Sequence, residues 1–282
     1  MSCHVRRSAL AGKCKNKIMQ STQVHVEIEK ELSAANGLSV NDGTPQRRSP
    51  VLVIVIAAVL GFVGGGLYFV NHPTYNAARK SFHQLYYNTR GTTWSSTYWL
   101  GVPAEKTPQD MWVYQEILHE TRPDVLIEAG TADGGSAYYF ATMFDLMGRG
   151  RVITIDIADS PKRPRHNRIT YVRGSSTAPE TVAKVKSLIA PGESVMVSLD
   201  SDHSKAHVAE ELKIYSDMVA SGCYLVVEDT NVNGHPVFPE FGPGPMEALQ
   251  DFLSVDHRYE IDHSREKFGL TFFPDGWLRR VR

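Results

Sequence analysis

From residue 124 onward the chain alternates two kinds of hydrophobic pattern. Short uninterrupted apolar runs such as VLI at 125–127 have the form of strands buried on both faces. Between them lie longer stretches whose apolar residues recur every three or four positions. The pattern predicts strands at 125–128, 151–157, 169–172, 194–199, 223–227, 259–261 and 268–273. It predicts helices at 136–147, 179–189, 204–219 and 245–253. A further helix at 108–122 precedes them, with Thr107 as N-cap, Pro108 in the first turn, and Met111, Val113, Tyr114, Ile117 and Leu118 as a broad apolar face. Strand and helix alternating at this spacing imply right-handed crossovers and a mostly parallel sheet covered on both faces. The short HSRE link between the last two predicted strands implies a terminal hairpin.

Upstream the pattern changes twice. Residues 1–50 are polar, irregular and dotted with Lys and Arg, and are predicted to be a disordered tail. Residues 51–70, VLVIVIAAVLGFVGGGLYFV, carry no charge over a length matching the ~20 residues that cross a bilayer. Gly64, Gly65 and Gly66 would weaken a soluble helix, so a single transmembrane helix is expected, and a single-pass membrane protein with it. Arg47 and Arg48 directly precede the run, which by the positive-inside rule puts the tail in the cytoplasm and the domain on the far side. A lone domain cysteine, the lack of an N-x-Ser/Thr sequon and a cofactor made in the cytosol point the other way, so the side is not assigned. Residues 71–107 are aromatic and turn-rich, a linker and lid segment before a catalytic domain at 108–282.

Composition narrows the class. The chain has 282 residues, 42% of them hydrophobic, and a formal net charge of -1. One main domain with appendages follows, and near-neutral charge argues against nucleic acid as the main partner. Cys3, Cys14 and Cys223 are far apart, which suggests neither a disulfide framework nor a thiolate metal site. Association into a homo-oligomer is left open.

The candidate chemistry begins at Glu128–Ser136, whose pattern E-x-G-x-x-x-G-G-S differs from the dinucleotide fingerprint G-x-G-x-x-G. An acidic residue at the strand end suits a cationic ligand, and Gly130, Gly134 and Gly135 are read as leaving room for it. With a parallel sheet closing in a hairpin, the outline of class I methyltransferases by fold analogy, the ligand is read as S-adenosylmethionine, held by Glu128, Gly130, Thr131, Gly134 and Ser136. Asp156, ending the next strand, is placed to bind ribose hydroxyls. Ser175, with Gly174 and Ser176, is placed on the adenine side.

A second constellation, VSLDSDHSKAH and VVEDTN, brings Asp200, Asp202, Glu228 and Asp229 to the carboxyl ends of neighbouring strands. So many like charges need protons or a cation, and an all-oxygen set suits Mg²⁺. Asp202, Glu228 and Asp229 are the preferred ligands; Asp200 is the alternate and is counted with the donor-binding residues. His203 and His207 stand four apart, but carboxylates are plentiful nearby, so hydrogen-bonding or helix-surface roles are favoured over metal ligation. Lys205, beside a divalent cation, is a candidate general base for a substrate hydroxyl, with His203 the other. The Gly- and Pro-rich loop at 230–245 is read as shaping a substrate pocket, with His235 as a contact.

The blocks TPQDMWVYQEIL, RPDVLIEAGTADGGSAYYFA, VSLDSDHSKAHVAEEL and YLVVEDTNVNGHPVFPEFGPGPMEAL together resemble the cephalosporin hydroxylase and rhamnosyl O-methyltransferase family, over roughly residues 94–282. The resemblance implies an S-adenosylmethionine-dependent O-methyltransferase with a Mg²⁺ site on Asp202, Glu228 and Asp229. The D-H-S-K run at 202–205 also looks like the metal aspartate and base lysine of catechol-type O-methyltransferases, with a slightly different spacing to the second carboxylates. The expectation is a membrane-anchored, Rossmann-like α/β class I O-methyltransferase acting on a hydroxyl of a sugar, glycolipid or small natural product. Two rivals stand beside it: an iron hydroxylase built on His203 or His207 with Asp202, and a non-catalytic anchored subunit supporting a partner enzyme.

Overall fold

A computed structural model of the chain describes residues 73–282; the tail and transmembrane segment expected at 1–50 and 51–70 lie outside the described residues. Among the described residues no helix is long and apolar enough to cross a membrane.

The described chain starts with α1 (Pro73–Asn88), two 3₁₀ turns, and a small antiparallel pair, β1 (Tyr98–Trp99) and β2 (Val102–Pro103). Then follow α2 (Pro108–Thr121), β3 (Val125–Ala129), α3 (Gly135–Met147), β4 (Arg151–Asp156), β5 (Ile169–Arg173) and α4 (Pro179–Ser187). The chain continues through β6 (Val195–Leu199), α5 (Lys205–Tyr215), β7 (Tyr224–Val227), α6 (Pro245–Val255), β8 (Tyr259–Ile261) and β9 (Trp277–Arg280). The main sheet has seven strands in the order β5-β4-β3-β6-β7-β9-β8, parallel except for β9, which runs antiparallel to both β7 and β8. This is the Rossmann-like sheet with a terminal antiparallel hairpin that the alternation predicts. Strand order reverses between β3 and β6, and such a reversal opens a crevice at the strands' carboxyl ends.

Strand periodicity divides the core between the two faces. Ile127, Val197 and Leu225 pack with Val208, Leu212 and Leu249 of α5 and α6. Leu126, Met196 and Val226 face the other way, onto Ile117, Phe140, Phe144 and Trp277. Burying each such side chain contributes about 1.5–3 kcal/mol, enough together to fix the register that aligns the strand ends. Thr107 caps α2 as expected, its side chain accepting from the Asp110 amide.

Two expectations need correction. The last strand is β9, not 268–273, and HSRE forms a 3₁₀ turn (His263–Glu266) within a longer connection. Leu270, Thr271, Phe272 and Phe273 are buried, which explains their strand-like pattern. Their amides are taken elsewhere, however: that of Phe272 donates to Asp110 Oδ2 at 2.9 Å and that of Phe273 to Thr271 Oγ1 at 3.0 Å, leaving no ladder. The helix expected at 204–219 is shorter, because α5 ends at Tyr215 and a 3₁₀ turn completes it. The segment read as a linker and lid packing on the domain contains α1, which does lie against it: His83 stacks on Phe272 at 5.5 Å and Arg79 Nε donates to the Gly269 carbonyl.

Candidate active site

A cleft of about 780 Å³ runs along the carboxyl ends of β4, β3, β6 and β7. The glycine turn, Asp156, Ser175 and Ser176 line one part of it; Asp200, His203 and Asp229 line another, with Tyr87 and Trp94 of the N-terminal segment in its wall.

At the glycine-turn end the sequence dictates close chain packing. Gly130 has φ +96°, and a Cβ there would lie 1.8 Å from the Asp200 carbonyl oxygen. A Cβ on Gly135 would lie 2.0 Å from the carbonyl oxygen of Pro103. These glycines therefore admit neighbouring backbone, and Gly130 and Gly135 also line the cleft; Gly134, with φ +86°, makes the left-handed turn into α3. Thr131 and Ser136 lie on the cleft wall. Glu128 does not: it is fully buried beneath the turn, where Thr154 Oγ1 donates to it at 2.6 Å and in turn meets Thr131 Oγ1 at 2.6 Å. Burial pushes its carboxyl up to about 7, opposed by the positive charge of Lys106. Asp156 Oδ2 accepts from the amides of Thr131 and Ala132 at 3.1 and 2.8 Å, and its Oδ1 from the amide of Ala158. Asp156 thus stands on the wall as placed by sequence and also braces the turn. Ser175 lies beside it in the cleft.

The acidic end is assembled by the loops after β6 and β7, and one residue there was missed by sequence reasoning. Lys106 is 4% exposed, and its Nζ donates to Asp200 Oδ2 at 2.7 Å and Glu228 Oε2 at 2.6 Å. It lies far from either partner in the chain, and no motif marks it. Glu228 Oε1 accepts from Tyr114 and Ser198 hydroxyls, each at 2.7 Å. Expected as a metal ligand, Glu228 is buried, hydrogen-bonded through both oxygens, and lines a cavity of about 30 Å³ with Lys106, Asp200 and Asp229. Asp202, also expected as a ligand, is exposed, and its Oδ1 accepts from the Ser204 amide at 2.7 Å at the start of α5. The Ser204 side chain, and then that amide, hold its carboxyl below the usual range, and Asp202 too lines the cleft.

The structure instead brings together Asp200, His203 and Asp229, each offering one donor atom within 4.8 Å of the others. His203 Nε2 lies 3.2 Å from Asp229 Oδ2 and 4.0 Å from Asp200 Oδ1. Asp229 is a non-glycine residue at φ +52°, a sparsely populated conformation that aims its side chain into the cleft wall. Burial raises the pKa of both aspartates, with the charge of Lys106 pulling Asp200 back and that of His203 pulling Asp229 back. Burial disfavours the charged form of His203, but Asp229 and Asp200 outweigh it and raise its pKa. Carboxylate oxygens are the donors a hard divalent cation takes, while imidazole suits softer metals. Asp200 and Asp229 could therefore hold Mg²⁺, with the His203 imidazole beside them.

The remaining candidates fall elsewhere. Lys205 Nζ pairs with Asp251 of α6 at 2.7 Å and does not line the cleft, which removes it from the acid–base position. His207 lines the cleft, but its Nε2 meets Ser176 Oγ at 3.0 Å and Glu211 Oε1 at 3.4 Å, so the two-histidine, one-carboxylate set of an iron hydroxylase is not assembled. His235 is tied to Glu247 at 2.9 Å and faces a separate small pocket beside α1.

Comparison with known proteins decides the family. The family model described as Rhamnosyl O-methyltransferase/CmcI matches residues 91–281. A rhamnosyl O-methyltransferase of Mycobacterium bovis is 41% identical over 213 residues, covering 73% of this chain and 86% of the relative. The chain belongs to the rhamnosyl O-methyltransferase/CmcI family. A rhamnosyl O-methyltransferase of Mycobacterium leprae is 40% identical over 225 residues, 77% of this chain and 95% of the relative. Among solved structures, CmcI in its Mg-SAM form superposes with a TM-score of 0.53 at 25% identity, over 67% of this chain and 78% of that one. Family membership bears out the resemblance drawn from the sequence blocks.

Proposed function

We propose that this family member transfers the methyl group of S-adenosylmethionine to a hydroxyl of a rhamnosyl or related sugar-bearing acceptor, with Mg²⁺ held by Asp200 and Asp229. The observation that carries this reading is the continuity of one cleft from the Gly130–Ser136 turn to Asp200, His203 and Asp229. The names of the mycobacterial relatives and the Mg-SAM form of CmcI support the donor, the cation and the sugar acceptor.

When bound, S-adenosylmethionine supplies an electrophilic methyl and the divalent cation supplies Lewis acidity that eases deprotonation of the acceptor hydroxyl. The chain's own residues do the rest. Thr131, Ser136, Asp156 and Ser175, on the cleft wall, would hold the donor. His203 would take the hydroxyl proton, and the charge of Asp229, whose Oδ2 lies 3.2 Å from the His203 Nε2, would stabilise the imidazolium that results. The deprotonated acceptor oxygen would be the nucleophile for the methyl that bound S-adenosylmethionine supplies, with the neutral thioether as leaving group. The acceptor reaches this point past Tyr87 and Trp94, whose rings stack at 5.5 Å and narrow the wall.

The charge-free run at 51–70 supports a second element of the reading, that the protein is held at a membrane by one helix and meets glycolipid acceptors there. Incubating the full chain with methyl-labelled S-adenosylmethionine, Mg²⁺ and a rhamnosyl glycoside tests the activity, label on a sugar hydroxyl being expected. Label that requires O₂ and no S-adenosylmethionine would contradict it.

A further inference from the structure

We propose that Lys106 is a positioning residue for the acidic end: an internal cation that engages Glu228 and one oxygen of Asp200 and keeps the clustered carboxylates assembled without a divalent ion. The inference rests on the divalent-ion reading above only for the Mn²⁺ readout of its test.

The argument starts from charge. Asp200, Glu228 and Asp229 reach one place because β6 and β7 are neighbours with aligned carboxyl ends. Buried like charges at such range repel and lose hydration, and a site of this kind persists only with a compensating cation or protons. Lys106 is that cation. Its Nζ lies 2.7 Å from Asp200 Oδ2 and 2.6 Å from Glu228 Oε2, and all three side chains are withdrawn from water to differing extents, Glu228 almost completely.

The second step is an oxygen ledger. Glu228 Oε1 takes the Tyr114 and Ser198 hydroxyls and its Oε2 takes Lys106, and a cavity of about 30 Å³ is lined by Glu228 together with Lys106, Asp200 and Asp229. Asp200 gives Oδ2 to Lys106 and keeps Oδ1, the atom that faces His203. Asp229 has no contact with Lys106 and keeps Oδ2 toward His203. Lys106 thereby occupies one oxygen on each of two clustered carboxylates. It is held rigidly because its backbone is fixed as well: its amide donates to Thr97 Oγ1 at 3.2 Å, and its carbonyl accepts from the same hydroxyl at 3.0 Å. The segment carrying β1 and β2 is thus pinned to the carboxyl edge of the sheet through one ammonium group, and Phe273 closes the niche with its ring 6.0 Å from Nζ.

Removing one partner of a buried ion pair leaves an uncompensated charge, whereas removing both does not. Full-length wild type, Lys106→Met, Lys106→Arg and the double variant Lys106→Met/Glu228→Gln are melted in EDTA and in saturating Mg²⁺, and Mn²⁺ affinity is titrated for each. Lys106→Met is expected to lose roughly 10 °C of Tm in EDTA, to regain most of it in Mg²⁺, and to bind Mn²⁺ more tightly than wild type. Lys106→Arg is expected to stay near wild type, and the double variant to recover its Tm without a divalent ion. An unchanged Tm and unchanged Mn²⁺ affinity in Lys106→Met would overturn the proposal, as would weaker Mn²⁺ binding. Should Lys106→Met fail to fold, a double variant that also fails to fold in EDTA overturns it, and one that folds supports it. Wild type that binds no divalent ion, with Lys106→Met still rescued by Glu228→Gln, would remove the metal reading and leave the charge-compensating role of Lys106 standing.

Discussion

The two ends of the cleft hold their acidic residues in opposite ways. At the glycine turn, Asp156 spends its oxygens on the amides of Thr131, Ala132 and Ala158, and Glu128 is sealed beneath with Thr154. That end is a mould of backbone, shaped by carboxylates that brace it and by glycines where chain meets chain. At the other end, Asp200 and Asp229 keep oxygens directed at His203, with Lys106 fixed behind them. That end is a field of side-chain charge. The contrast teaches that a carboxylate at a strand terminus is not one kind of site: its hydrogen-bond capacity is divided between bracing the fold and facing the cleft, mostly the former at Asp156 and the latter at Asp229.

The contrast breaks if the ends do not respond separately to substitution. Replacing the His203 imidazole should cost the most: His203→Ala is expected to lower kcat by about 10²–10⁴-fold. Because a base works deprotonated, wild-type rate should climb with pH as His203 loses its proton, and the variant should lack this limb. Next, Asp229→Asn is expected to lower transfer by roughly 10²–10³-fold, while calorimetry shows unchanged binding of S-adenosylmethionine. Asp202→Asn, one loop position from the cluster, should change neither; a large loss there would move the cation away from Asp200. Gly130→Ala joins the two ends, since its Cβ collides with the Asp200 carbonyl from a left-handed backbone. It should therefore weaken donor binding and lower Tm together, where the substitutions at the acidic end separate those readouts.

The smallest effect concerns stability alone. Burial pushes Asp110 up to about 7, as it does Glu128, so the folded state retains protons that the unfolded state has already released between the ordinary carboxylate range and about 7. Each group therefore withdraws stability as pH rises through that window and none beyond it. Urea unfolding of Asp110→Asn relative to wild type should show a stability difference that moves in the variant's favour from pH 4 to 7 and then levels off.

The alternation of strand and helix was legible because buried parallel strands and amphipathic helices differ in period. Where a buried segment is irregular, the pattern misleads: Leu270–Phe273 hides its side chains as a strand does, and only the capture of the Phe272 amide by Asp110 reveals otherwise. The acidic end was legible as a cluster, since VSLDSD and VVED end adjacent strands. Choosing Asp200 over Asp202 was not, because both lie within one turn of the strand end and only the path into α5 turns Asp202 toward the Ser204 amide. Lys106 left no trace at all in local sequence, for its partners are brought to it by the sheet. The mirror case is Lys205, which sits in a suggestive D-H-S-K run yet is drawn to Asp251 by the packing of α5 against α6.

The most direct test of a cleft divided between donor and acidic ends is one labelled-methyl transfer assay, run with Mg²⁺ and a rhamnosyl acceptor on Asp229→Asn protein whose donor site is saturated. The account predicts that label stays on S-adenosylmethionine in the variant and reaches a sugar hydroxyl in wild type. Transfer by Asp229→Asn at the wild-type rate, with or without a chelator, would contradict it.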